Sequence, residues 1–84
     1  MEDKVLLELS RDEALVIEGL FARFEQENSL ALRHNAEFVA LSRVAGQIEK
    51  ALVEPFQSNY TVLLDAARSR VAEGYEGLAP GVSQ

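Results

Sequence analysis

The rhythm of apolar and polar positions changes several times along this chain. From Lys4 to Leu9, K-V-L-L-E-L, it alternates, with Val5, Leu7 and Leu9 on one side and Lys4, Leu6 and Glu8 on the other, which predicts a short extended strand or arm. The period then lengthens. Ala14, Ile17, Leu20, Phe21 and Phe24 recur at three- and four-residue spacings and form a stripe roughly 120° wide, the core-facing side of a first helix. Ser10 followed by Glu13 is a capping box, and Asp12 complements the helix dipole, so this helix is expected over about 11–27.

Asn28 to Asn35 has no period and begins with turn formers, which predicts a loop. Phe38, Leu41, Ala45, Ile48 and Leu52 then step by three, four, three and four, placing a second helix over about 36–53. Pro55 ends it, because the residue before a proline is pushed out of the helical region. Ser58 or Asn59 can cap a third helix, about 60–73, that carries Tyr60, Leu63, Leu64, Ala67 and Val71 on one side. Gly74 suits a left-handed cap at its end.

Three helices joined by short connections predict an all-α fold, a three-helix bundle preceded by a short extended segment over 4–9. Residues 1–74 then form one helical domain, and 75–84, with glycines, a proline and no period, a flexible tail. A chain of 84 residues should bury about two thirds of the surface its unfolded form exposes. With no cysteine to staple it, self-association is a common supplement.

Two positions, Leu15 and Gly19, break the pattern of the first helix. Measured around the helical wheel from Ile17, Leu15 lies at about 160°, Gly19 at about 200°, Ala22 at about 140° and Gln26 at about 180°, a second stripe opposite the core. Glycine inside an exposed helix costs about 0.5–1 kcal/mol relative to alanine, so either that cost is tolerated at a solvated site or a neighbour approaches closely. A bundle core accounts for one side of the helix. The other predicts a contact with a partner, and the isolated strand also needs an edge to pair with. Val5, Leu7, Leu15, Gly19, Ala22 and Gln26 are therefore the candidate partner interface, unless the arm folds back over the bundle. In the second helix Val39, Gly46 and Val53 recur every seven residues and read as further core.

The formal charge of −6 is concentrated early, with eight acids against three bases in residues 1–28. Such a field disfavours nucleic acid and anionic lipid and suits a basic protein partner, which Glu2, Asp3, Glu8, Asp12, Glu13 and Glu18 would steer. It also keeps a small protein soluble. The start M-E-D-K does not resemble a signal peptide and no apolar run is long enough for a bilayer, so a cytoplasmic protein is expected, off the membrane.

Chemistry is sparse. There is one histidine, no cysteine and no glycine-rich phosphate loop, and His34 sits in the predicted loop without a second histidine at ligand spacing. Asp12, Glu13 and Glu18 are better explained by capping and solubility than by a metal. No catalytic residue, metal site or cofactor is expected. Three short helices are also the frame of helix-turn-helix regulators, the alternative reading, but Arg68 and Arg70 lie about 160° apart around the third helix instead of forming one basic face.

The segments L-S-R-D-E-A at 9–14, L-V-E-P-F at 52–56 and Y-T-V-L-L-D-A-A-R at 60–68 resemble a type of small, acidic, all-helical bacterial protein of uncharacterised role. That resemblance implies a bacterial cytoplasmic source and assigns no functional residue. The expected function is a non-catalytic protein–protein interaction module, a homodimer of antitoxin, immunity or accessory-subunit type.

Overall fold

A computed structural model of the chain describes residues 3–27 and 30–82; Asn28 and Ser29, which open the predicted loop, and Glu2 lie outside that range. Three helices form, α1 over Arg11–Glu27, α2 over Asn35–Ala51 and α3 over Tyr60–Ala72, with a 3-10 turn at Glu54–Phe56 and no strand among the described residues. The fold is all-α.

Local chemistry sets the boundaries. The Ser10 amide donates to Glu13 Oε1 at 2.8 Å and the Glu13 amide donates to Ser10 Oγ at 3.0 Å, the expected reciprocal cap of α1. His34 does the equivalent work for α2. Its Nδ1 accepts from the Ala36 amide at 2.9 Å, while Glu37 Oε1 accepts from the amides of Arg33 and His34 at 2.6 and 3.2 Å. The helix therefore starts at Asn35. Pro55 sits in the first turn of the 3-10 segment, which closes through the Phe56 amide donating to the Val53 carbonyl at 3.0 Å. Asn59 precedes α3 without a side-chain cap, and Gly74 follows it at φ +88°, where a side chain would be strained.

Packing is centred on α1, which meets α3 extensively and α2 less so, whereas α2 and α3 barely touch. Both neighbours run antiparallel to it. Phe24 near the end of α1 meets Phe38 near the start of α2 edge to face, with ring centroids 6.5 Å apart. Asp12 at the start of α1 accepts two hydrogen bonds from Arg70 at the end of α3, at 2.7 and 2.9 Å. Leu15, Phe21, Ile48, Leu52 and Ala67 form the buried core, with Ile17, Leu41, Ala45 and Tyr60 packed against it.

This core is small for the chain. A folded protein of 9.3 kDa is expected to expose about 5,000 Å². This one exposes 7245 Å², so it buries about half of its unfolded surface instead of the two thirds that general scaling suggests. Its radius of gyration of 14.2 Å likewise exceeds the roughly 12 Å of a compact domain of this length. Tyr75 to Val82 adds turns at Gly77 and Gly81 but no regular element.

Candidate functional site

The proposed second stripe of α1 requires correction. Leu15 is 3 % exposed and Gly19 is buried, and what covers them is α3 of the same chain. The close approach that glycine implied is real: a Cβ built on Gly19 would lie 3.0 Å from Leu64 Cδ2, 3.2 Å from Leu64 Cδ1 and 3.6 Å from the Tyr60 hydroxyl. Leu15 and Gly19 therefore belong to the interior and cannot form an external interface in this fold. The chain covers both sides of its first helix because α2 and α3 flank it instead of sharing one face.

Ala22 and Gln26, on the same side of α1, are exposed. The reason is length and direction. α3 is 13 residues long and starts at Tyr60, beside Glu18 and Gly19, so the last two turns of α1 extend past it. Leu20, expected in the core, is 40 % exposed. Phe38 and Val71, at the ends of their stripes, are also half exposed.

The seam is latched by polar groups at its edges. The Tyr60 hydroxyl donates to Glu18 Oε2 at 2.7 Å, and partial burial together with that carboxylate pushes the phenol up to about 12. Arg11 holds Glu54 through two hydrogen bonds at 2.6 and 3.1 Å, tying the start of α1 to the 3-10 turn. Hydrogen bonding from Arg70 holds Asp12 below the usual carboxylate range, and Arg11 does the same to Glu54. Asp12, Glu13 and Glu18 are thus engaged by three different partners, and no group of metal-ligating side chains forms among the described residues.

A different surface is left open. Residues 4–9 form no regular element and have no ladder partner among the described residues, and they do not fold down as a covering arm. Val5, Leu6 and Leu7 are 88 %, 90 % and 75 % exposed. With Leu9 they form one wall of an open groove of about 380 Å³, whose other side is Ala14 of α1 and Val44, Gln47, Ile48 and Ala51 of α2. The lining is apolar except for Gln47 and holds no nucleophile, acid or base.

Of the six predicted interface residues, Val5 and Leu7 meet at this groove, Leu15 and Gly19 are withdrawn into the core, and Ala22 and Gln26 stand apart from it. Leu6, Val44 and Ala51 are groove residues that the sequence reading missed. A signal existed: Ala40, Val44, Gln47 and Ala51 step by four, three and four along α2, a second helical stripe adjoining the core stripe. The Val39, Gly46, Val53 series, whose last member lies beyond the end of α2, is not core. Val39 and Val53 are exposed, and nothing lies within 4 Å of a Cβ built on Gly46.

No helix of the described residues is long and apolar enough to cross a membrane. Comparison with known proteins adds no identity, for no family model, no curated protein and no solved structure matches the chain.

Proposed function

We propose that this chain is a non-catalytic protein–protein interaction module that self-associates in the cytoplasm, and that it acts through the arm and the groove beside it. The observation that carries this reading is the excess of about 2,000 Å² of exposed surface over a compact monomer of the same mass, with three consecutive apolar residues of the arm near full exposure. A standard protein–protein interface covers about 800 Å² per partner, which that excess is large enough to supply. An antitoxin, an immunity protein or an accessory subunit would each use such a surface.

A homotypic contact is supported by the apolar side chains that the arm and the groove share. Of the acids expected to steer a basic partner, Asp12 is ion-paired with Arg70, whereas Glu13 and Glu18 accept only from neutral donors and Asp3 and Glu8 have no ion-pair partner among the described residues. A nucleic-acid reading loses support, since Arg11, Arg68 and Arg70 are each engaged by a carboxylate.

Sedimentation velocity of the full chain across a wide concentration range tests self-association. The expected result is a concentration-dependent shift from one to two copies. A single monomeric species throughout would overturn it. Retention of the protein on heparin, abolished by salt, would favour the nucleic-acid alternative.

A further inference from the structure

We infer that two copies pair through their arms as a two-stranded antiparallel ribbon, centred where Leu6 of one copy faces Leu6 of the other, and that the apolar face of the ribbon is backed by the grooves of both protomers. This rests on the self-association proposed above and specifies its geometry.

Three observations select a second copy as the occupant. First, the backbone from Asp3 to Leu9 makes no hydrogen bond among the described residues, so its donors and acceptors are free for a ladder. Second, the segment is complementary to itself. In an antiparallel pair centred on Leu6, Lys4 falls opposite Glu8 of the other strand, and the two-fold axis repeats that pairing on the other side. Val5 falls opposite Leu7 in the same register, so the centre of one ribbon face is apolar, with Asp3 opposite Leu9 at its ends. Shifting the register by one residue would place Lys4 against Leu7 and Val5 against Leu6, which breaks the charge pairs and mixes the faces. Neither Lys4 nor Glu8 has an ion-pair partner among the described residues.

Third, a two-stranded ribbon is marginal in water without an apolar backing. The groove provides one. Ala14, Val44, Ile48 and Ala51 lie next to the arm, and covering them together with Val5, Leu7 and Leu9 removes apolar surface from water in both copies at once. The excess exposed surface of each chain is more than the roughly 800 Å² per partner of a standard interface.

Charge exchange tests this register directly, because both residues are exposed and outside the helical core. Lys4→Glu alone puts two carboxylates opposite each other at each end of the ribbon, and Glu8→Lys alone puts two ammonium groups there. Each variant by itself should dimerise about ten- to thirtyfold more weakly than the unaltered chain at low salt. Mixing the two single variants should restore a heterodimer, since one strand then carries two acids and the other two bases, and the double exchange K4E/E8K should restore the homodimer.

As a second measurement, L6C should form a disulfide-linked dimer under mild oxidation. A cysteine at equally exposed Phe56 should not, and the chain has no other cysteine to compete. If the unaltered chain dimerises but both charge variants do so equally well, and L6C fails to cross-link, the arm pairing is wrong while self-association stands. If the unaltered chain is monomeric, the reading beneath it falls as well.

Discussion

Gly19 and Gly46 each interrupt the middle of a helix, yet they stand in opposite surroundings. Gly19 lies in the seam between α1 and α3, where the tip of Leu64 occupies the space a methyl would need. Gly46 faces outward from α2 with nothing within 4 Å. The same residue type therefore reports a close helix–helix approach in one place and an uncovered surface in the other. The difference extends to the regions around them: the α1–α3 seam is buried and tied at its edges by Tyr60–Glu18 and Arg70–Asp12, whereas α2 covers α1 on one side and leaves the rest of its circumference open.

The largest expected effect is at the seam. Leu15→Ala should destabilise the fold by about 2–4 kcal/mol, because a nearly fully buried side chain is removed where α3 can close only part of the cavity. In so small a domain that is a large share of the total, and urea unfolding by circular dichroism would show it. An unchanged midpoint would mean that α3 does not cover this face.

Gly19→Ala comes next. The helix-propensity gain is opposed by contact with Leu64, whose own burial limits its retreat, so a net loss of about 1 kcal/mol is expected. Made in a Leu64→Ala background, the same substitution should reverse sign and stabilise by about 0.5–1 kcal/mol, since the obstructing methyls are gone. Sedimentation should show no change in assembly, in contrast to the arm variants.

Tyr60→Phe should cost about 1 kcal/mol by deleting the hydrogen bond to Glu18. It also has a pH signature. The folded chain holds the phenolic proton more tightly than the unfolded chain does. This contribution is intact below pH 10.0 and is lost as pH rises toward about 12. The stability difference between the unaltered chain and the variant should therefore shrink over that alkaline interval.

Gly46→Ala sharpens the comparison from the other side. With open space around it and an ordinary helical backbone, the added methyl should stabilise by about 0.5–1 kcal/mol, readable as a raised melting temperature. A loss instead would reveal a contact on that face of α2.

The smallest effects belong to the exposed ion pairs. Asp12 and Glu54 have lowered carboxylate values in the folded state, so their contribution is present above the ordinary carboxylate range and is lost as pH falls through it. Replacing Arg11 and Arg70 with alanine should flatten the acid limb of a melting-temperature profile, and added salt should reduce the difference.

Much of the helical skeleton was legible because its signals are local. Ser10 with Glu13, Pro55 and Gly74 act on the turn they occupy, and the predicted boundaries agree with the observed ones to within two residues. His34 reads as a loop residue in the sequence because imidazole is an uncommon cap; its role depends on Glu37, three residues on, which the capping-box pattern contained. The candidate site was half legible. The alternation in 4–9 and the tight place at Gly19 were both visible, but their destinations were not.

From sequence alone came the three amphipathic segments, the apolar alternation of 4–9, the early concentration of acid and the question of what approaches Gly19. Those properties follow from side-chain spacing and backbone chemistry within a few residues. Which neighbour covers which stripe was decided only in three dimensions, because a helical wheel shows that a face is apolar without showing what meets it. Tertiary packing placed α3 over Leu15 and Gly19, and it left Val5, Leu6 and Leu7 exposed.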